Sequence, residues 1–269
     1  MKNMEPRYID VHSHVTFKEY DTDLPEVLKR MEDERVWTMT VGVDHATSQE
    51  AVAFADTHDG FWATIGLHPT DTADESFNSS IYGTMVAHQK VVAIGECGLD
   101  YFRIQGDIPS EKKRQKEEFE KQLEFAIEHD KPLMLHSRPS KGTLDAYEDL
   151  LSILEARKKE AGDRLRGDVH FFVGNVPIAR RFYDMGFTTS FTGVLTFAHE
   201  YDEVVRFAPL DMILTETDSP FAAPEPFRGR RNEPTYVKYV VEAIARIRKT
   251  ELEPVREAVV SNAKRVFAL

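Results

Sequence analysis

Cysteine is nearly absent from this chain of 269 residues: Cys97 stands alone. A lone thiol cannot form an internal disulfide, so stability has to come from a packed core, and a reducing compartment is the natural setting. Long apolar runs are missing too, since no stretch approaches the ~18 consecutive apolar residues of a membrane span. The start, Met-Lys-Asn-Met-Glu-Pro-Arg, has no apolar signal-peptide centre. A soluble, cytoplasmic protein is expected. Basic residues are in deficit, with 34 Lys and Arg against 46 Asp and Glu and a net charge of −12. That balance argues against a broad cationic groove for nucleic acid, so any polyanionic substrate has to be held by something local. No Gly/Ser linker, proline run or low-complexity block divides the chain, and one domain over residues 1–269 is expected. A chain of this size buries roughly three quarters of its unfolded surface without covalent help.

What is present is a repeated alternation. Apolar runs rich in β-branched and aromatic residues occupy 8–15, 36–43, 61–67, 91–99, 132–136, 168–173, 187–197 and 212–217, and they read as strands. Segments of helical character lie between and after them at 25–34, 48–58, 81–89, 111–130, 143–159, 177–185, 199–207, 236–249 and 254–269. Within 111–130, Phe119, Leu123 and Ala126/Ile127 recur at steps of three to four residues and form one apolar face. Eight strand–helix units in ~260 residues predict an α/β fold, a (β/α)8 TIM barrel, with a doubly wound open sheet as the competing architecture.

The reactive residues separate the two. His12 and His14 end the first run, and their two-residue spacing puts both imidazoles on one strand face. Glu96 closes the fourth run, His136 the fifth, His170 falls on the sixth and Asp218 follows the eighth. In a barrel these positions converge on the mouth formed by the strand C-termini; in an open sheet they would be too far apart to meet. Four imidazoles and two carboxylates exceed the three protein ligands of a single catalytic zinc, whereas two metals sharing a carboxylate account for the count. His68 ends the third run and faces the same mouth, as a substrate contact or a support for the ligands. Arg138, Arg103, Arg228, Arg230 and Arg231 lie in segments after these strands, where a planar guanidinium suits phosphate. Salt bridging, such as Arg231 to Glu233, is their alternative use. Tyr101, Phe102, Phe221 and Phe227 are candidates for stacking on bases. Cys97 follows Glu96 and is expected to point outward to the helices as a small buried hydrophobe.

The motifs Tyr-Ile-Asp-Val-His-Ser-His (8–14), Ile-Gly-Leu-His-Pro (65–69), Ile-Gly-Glu-Cys-Gly-Leu-Asp-Tyr (94–101), Leu-His-Ser-Arg (135–138), Ser-Phe-Thr-Gly (190–193), Glu-Thr-Asp-Ser-Pro (216–220) and Arg-Asn-Glu-Pro (231–234) resemble those of the TatD-type deoxyribonucleases of the amidohydrolase superfamily. The likeness runs in order along essentially the whole chain. It implies a (β/α)8 fold and two divalent metals (Mg, Mn or Zn), one held by His12, His14 and Asp218, the other by His136 and His170, with Glu96 bridging. It also implies a 3′–5′ exonuclease that acts on the 3′ ends of single-stranded DNA or RNA through a bridging hydroxide. Asp218 and Glu96 are then the catalytic carboxylates, and His68, Arg138 and Arg231 the substrate contacts. Glu216 shares the strand parity of Asp218 and could orient a ligand imidazole from beneath. The sequence departs from the family at 170–174, which reads His-Phe-Phe-Val-Gly in place of His-Cys-Phe-Ser-Gly, and at Cys97, where an aliphatic residue is common. The larger Phe171 is expected to alter pocket shape. Two other readings compete: a hydrolase or deaminase acting on a small amide, lactone or nucleobase, and an idle binding protein that keeps metals for structure.

Overall fold

The computed structural model describes residues 5–73 and 75–269. Eight strands occur, β1 (Tyr8–Ser13), β2 (Val36–Val41), β3 (Phe61–Ile65), β4 (Val91–Asp100), β5 (Leu133–Arg138), β6 (Gly167–Val169), β7 (Thr188–Phe191) and β8 (Ile213–Thr215). The helices are α1 (Leu24–Glu34), α2 (His45–Thr57), α3 (Ser79–Val86), α4 (Ile108–Glu128), α5 (Asp145–Ala161), α6 (Val176–Asp184), α7 (Asp202–Phe207), α8 (Val237–Arg248) and α9 (Leu252–Phe267). All neighbouring strands pair in parallel in the order β1 to β8. The ring is joined at the seam by a parallel bridge between Ser13 and Ser219. There His14 N–H donates to the Ser219 carbonyl at 2.7 Å and Asp218 N–H to the His12 carbonyl at 2.9 Å. This is the (β/α)8 barrel.

Several runs are shorter than the apolar pattern predicts. The sixth stops at Val169, so His170 lies just beyond the strand, where Phe171 turns into the left-handed region at φ 48°. The seventh stops at Phe191 because Thr192 accepts from Val194 N–H and the chain tightens into a short 3-10 turn. The eighth stops at Thr215, after which Glu216 N–H and Thr217 N–H bond to Phe191 and to the Asp10 carboxylate. Apolar composition marks burial, and buried turns at the mouth carry the same composition as strands.

Helix starts are set by side chains at the mouth. Asp44 and Thr47 form a reciprocal capping box on α2, Asp107 caps α4 and Asn175 caps α6. The buried face of α4 includes Phe119, Leu123 and Ala126 as expected, but two polar residues on it position the site. Gln115 clamps both backbone groups of Asp100 at 2.8 and 3.0 Å, and Gln122 clamps both of Leu67 at 2.8 and 2.9 Å. Between strands and helices lies the large apolar core, which includes Cys97. Inside the ring, Ile9, Val11, Met39, Met134 and Leu214 pack with Ala263 and Phe267 of α9. One end of the barrel is therefore filled with hydrocarbon, and the polar groups are concentrated toward the other.

Gly98 adopts φ +140°, and a Cβ there would sit 2.1 Å from the carbonyl oxygen of His136. Gly98→Ala should force β4 and β5 apart where both carry functional residues. A loss of about 2–4 kcal/mol in urea unfolding is expected from overpacking plus backbone strain, together with weaker metal uptake. Unchanged stability would show that the strand pair is not tight there.

Candidate metal centre

Six side chains from five strand ends meet at the mouth. The β1–β2 register shifts between Asp10 and Ser13, and the β4–β5 register between Ile94 and Cys97. These irregularities flank His12 and Glu96, as bulges near functional sites often do. Asp218, like Phe171, holds a left-handed backbone, at φ 52°. Non-glycine residues in that region mark local strain held by the surrounding structure. A cavity of about 540 Å³ opens above, lined by His14, His68, Glu96, His136, His170 and Asp218 among others, while His12 lies fully buried beneath.

The six form two triads joined by Glu96. In the first, His12 Nε2 lies 3.3 Å from His14 Nε2, and Asp218 Oδ1 is 3.8 and 3.5 Å from those nitrogens. In the second, Glu96 Oε1 is 2.6 Å from His136 Nδ1 and 2.9 Å from His170 Nε2, which are 3.3 Å from each other. The other oxygen, Glu96 Oε2, lies 3.3 Å from His12 Nε2 and 3.9 Å from His14 Nε2. Oε2 thus faces His12 and His14, and Oε1 faces His136 and His170 with His68 further out at 3.4 Å. Both triads satisfy the geometry of groups that can hold a metal ion.

The outer hydrogen bonds determine which nitrogen is free. His14 Nδ1 donates to the Val41 carbonyl at 3.1 Å, His170 Nδ1 to Glu216 Oε1 at 3.3 Å, and His136 Nε2 to Asp100 Oδ2 at 3.2 Å. The opposite nitrogen of each ring then presents a lone pair, and these lone pairs point at one another and at carboxylate oxygens. Such a set is mutually repulsive unless a cation or extra protons sit between, and that is how divalent metals fit this donor set. Protonation supplies the balance in the bare protein. Burial opposes charge on His170, but Glu96 and Glu216 outweigh it and hold its imidazole well above the usual histidine range. Burial likewise opposes charge on His136, and bonds to Asp100 and Glu96 raise it. Burial disfavours the Glu96 carboxylate, yet the surrounding His170, His68 and His12 keep it well below the ordinary range.

His68 differs from the ligands. Its Nδ1 accepts from Thr70 N–H at 3.2 Å and lies 2.7 Å from the Thr70 hydroxyl, so the ring proton sits on Nε2, 3.4 Å from Glu96 Oε1. It offers the cavity a donor where the others offer a lone pair. Arg138 lines the cavity, with its guanidinium 4.2 Å over the ring of Phe102, and Arg103 lines it too. Arg231 is placed elsewhere: it does not line this cavity, and its guanidinium binds both oxygens of Asp23 at 2.6 and 2.7 Å. Glu233, the partner expected from sequence, is taken by Arg30 at 2.6 Å. Tyr101 is buried and donates to Asp149, so it is not a stacking surface. Burial pushes the Cys97 thiol up, leaving it inert.

Two supports escaped the sequence reading. Asp100 orients His136, and its spacing of four from Glu96 on one strand was a usable signal. Asp168 was not signalled: its carboxyl meets Thr188 and Ser190, and Ser190 Oγ also lies 2.6 Å from Glu216 Oε2. Glu216, expected beneath the site, is fully buried there and holds both His170 and Phe171 N–H.

A parallel barrel with a His, Asp and Glu cluster of this kind at its mouth is the architecture of a metal-dependent hydrolase. The family model described as TatD related DNase matches residues 9–268, and the chain belongs to that family. It is 40% identical over 264 residues to the uncharacterized metal-dependent hydrolase YabD of Bacillus subtilis, covering 97% of this chain and 98% of that one. It is 31% identical to the metal-dependent hydrolase TatD of Mycobacterium tuberculosis, covering 97% and 98%. The crystal structure of YjjV, a TatD homolog from Escherichia coli, superposes with a TM-score of 0.88 at 27% identity and covers 99% of this chain and 100% of its own.

Neighbouring carboxylates shift His136 and His170 toward the protonated form despite burial, and a metal competes with those protons, so metal uptake should release protons. Calorimetric titration with Mn²⁺ in buffers of different ionisation heat should show net release, with affinity falling as the pH is lowered. Absence of release would contradict the ligand assignment. Burial, then the neighbouring Glu216, pushes Asp168 up to about 7 from its ordinary 3.8, against the hydrogen bonds from Ser190 and Thr188. A raised folded value adds stability that is fully present below the unfolded value and lost as pH rises through about 7. Wild type should therefore lose Tm between pH 5 and pH 8 more steeply than Asp168→Asn, whose side chain does not ionise; parallel curves would refute this.

Proposed function

We propose that this metal-dependent hydrolase cleaves phosphodiester bonds with two divalent ions and removes nucleotides from the 3′ end of single-stranded DNA, with RNA as a second substrate. The observation that carries the reading is Glu96, whose Oε2 faces His12 and His14 while its Oε1 faces His136 and His170. His12, His14 and Asp218 would hold one divalent ion and His136 and His170 a second, with Glu96 between the two groups; such a pair would supply positive charge for the phosphate oxygens and an acidified water, the chemistry of displacement at phosphorus.

The protein's own groups divide the remaining work. Asp218 stands at the cavity edge beside His12 and His14, with its carboxyl held below the usual range despite burial by the bond to His14 and the nearby imidazoles. An ionised carboxylate there orients the attacking water and accepts its proton. Glu96 keeps the two ligand groups in register. His68 Nε2–H and the Arg138 guanidinium are donors on the cavity wall for phosphate oxygens. Phe221 and Phe102, each 51% exposed, present rings on which terminal bases stack. Phe171 lines the cavity at the position where the resemblance leads one to expect a thiol.

The test is release of mononucleotides from end-labelled single-stranded DNA and RNA with Mg²⁺, Mn²⁺ or Zn²⁺. His136→Ala and Asp218→Ala should each lower kcat/KM at least about a hundredfold, since even outer partners of metal ligands cost 10–100-fold. His136→Ala should also lower the bound metal from two equivalents to one. Full activity in either variant, or one tightly bound zinc with turnover of a nucleobase amide instead of a diester, would replace this reading with that of an amide hydrolase or deaminase.

A further inference from the structure

The segment between β8 and α8 serves two surfaces. Near its start Phe221 lines the metal cavity. Further on, Phe227, Arg230 and Arg231 line a separate open groove against α1 and the first turn of α8. Phe227 stacks on Tyr236 with ring centres 4.2 Å apart, and Tyr239 meets it edge-on at 5.5 Å. The groove holds four cations and three carboxylates. All three carboxylates are engaged: Asp23 by Arg231 at 2.6 Å, Glu34 by Lys238 at 2.7 Å, and Glu233 by Arg30 at 2.6 Å. Arg230 is the cation left over, with no carboxylate partner among the described residues. Just outside, the exposed Arg228 lies 3.5 Å over the ring of Phe197 and likewise lacks a carboxylate partner among the described residues.

Arg228 and Arg230 are thus two exposed guanidiniums, two residues apart, without a carboxylate partner among the described residues, in a chain of net charge −12. Across the barrel, the loops after β4 and β5 carry Phe102 and Arg138, paired in the same way. In a ring of eight strands taken in order, β4 and β5 lie opposite β8 and β1. Guanidinium–aromatic pairs therefore flank the metal centre on opposite rims.

We infer that the groove beside α1 and α8 is a binding track for the body of a single-stranded nucleic acid whose 3′ terminal residue sits at the metals. This rests on the phosphodiesterase reading for its direction. Arg228 and Arg230 take backbone phosphates, and the aromatic cluster of Phe227, Tyr236 and Tyr239 takes sugar and base surface. Discrete anions along a flexible strand match two separated guanidiniums that a continuous cationic face is not needed to supplement.

The test uses the full chain treated with EDTA and 5′-fluorescein-labelled dT20 and dT3, read by anisotropy across a salt series. The Arg228→Glu/Arg230→Glu double variant should bind dT20 at least tenfold more weakly. Loss of two phosphate contacts should reduce the slope of log K against log salt by about 1.4. The loss for dT3, which occupies only the metal end, should be severalfold smaller. Arg228→Lys/Arg230→Lys should restore most of the affinity, which separates charge from misfolding. Equal binding of dT20 by wild type and the Glu variant would overturn the track even if the wild type degrades DNA with metal added. Arg-dependent, length-dependent binding without hydrolysis under any metal would uphold the track and overturn the nuclease reading. Binding of dT20 and dT3 with equal loss would also overturn the track.

Discussion

The structure depends on an electrostatic constraint at one end of the barrel. Four imidazoles and two carboxylates are packed with their polar atoms within 4 Å of a neighbour in the set, and several ring nitrogens present lone pairs to each other. Left alone, that arrangement is unfavourable, and the protein holds it with a fixed outer set of partners. Val41, Glu216 and Asp100 each bind one ring nitrogen and so expose the other. The cluster is stable only with positive charge inside it, and this requirement makes it a place for divalent metals.

The rest of the fold is arranged to impose that geometry. Gln115 and Gln122 of α4 grip the backbone at Asp100 and beside His68, transmitting the packing of a long helix to two strand ends. Gly98 lets β4 approach β5 closely where His136 is carried. The opposite end of the barrel interior is filled by hydrocarbon from the strands and α9, so polar groups in the ring have nowhere to converge but the mouth. Strain is accepted at Phe171 and Asp218, the two non-glycine cavity-lining residues in left-handed conformation next to or at a ligand position.

Charge is handled locally. A protein carrying twelve excess negative charges repels a polyanion at long range. Against that background, Arg138 over Phe102 and Arg228 over Phe197, neither with a carboxylate partner among the described residues, leave local positive charge at the rim. Other arginines are neutralised by neighbours, as Arg231 is by Asp23 and Arg181 by Glu148 and Glu155. The contrast between paired and unpaired arginines is invisible in composition and is a property of the folded surface.

The linear chain by itself determined the barrel and the ligand types, because the period of apolar runs and the placement of His12, His14, Glu96, His136, His170 and Asp218 at run ends are local facts. It also determined that Cys97 faces the helices, from strand alternation alone. Where strands stop was not legible: His170 stands past β6 because Phe171 turns, and β7 and β8 end where buried turns mimic strand composition. Nor was the role of Arg231, since Asp23 comes from the other side of the barrel seam. The joining of Ser190, Asp168 and Glu216 in one buried network needs three strands to be neighbours. Only tertiary structure decided these, because hydrogen-bond partners and lone-pair directions depend on residues far apart in sequence, and a one-dimensional pattern carries burial but not partnership.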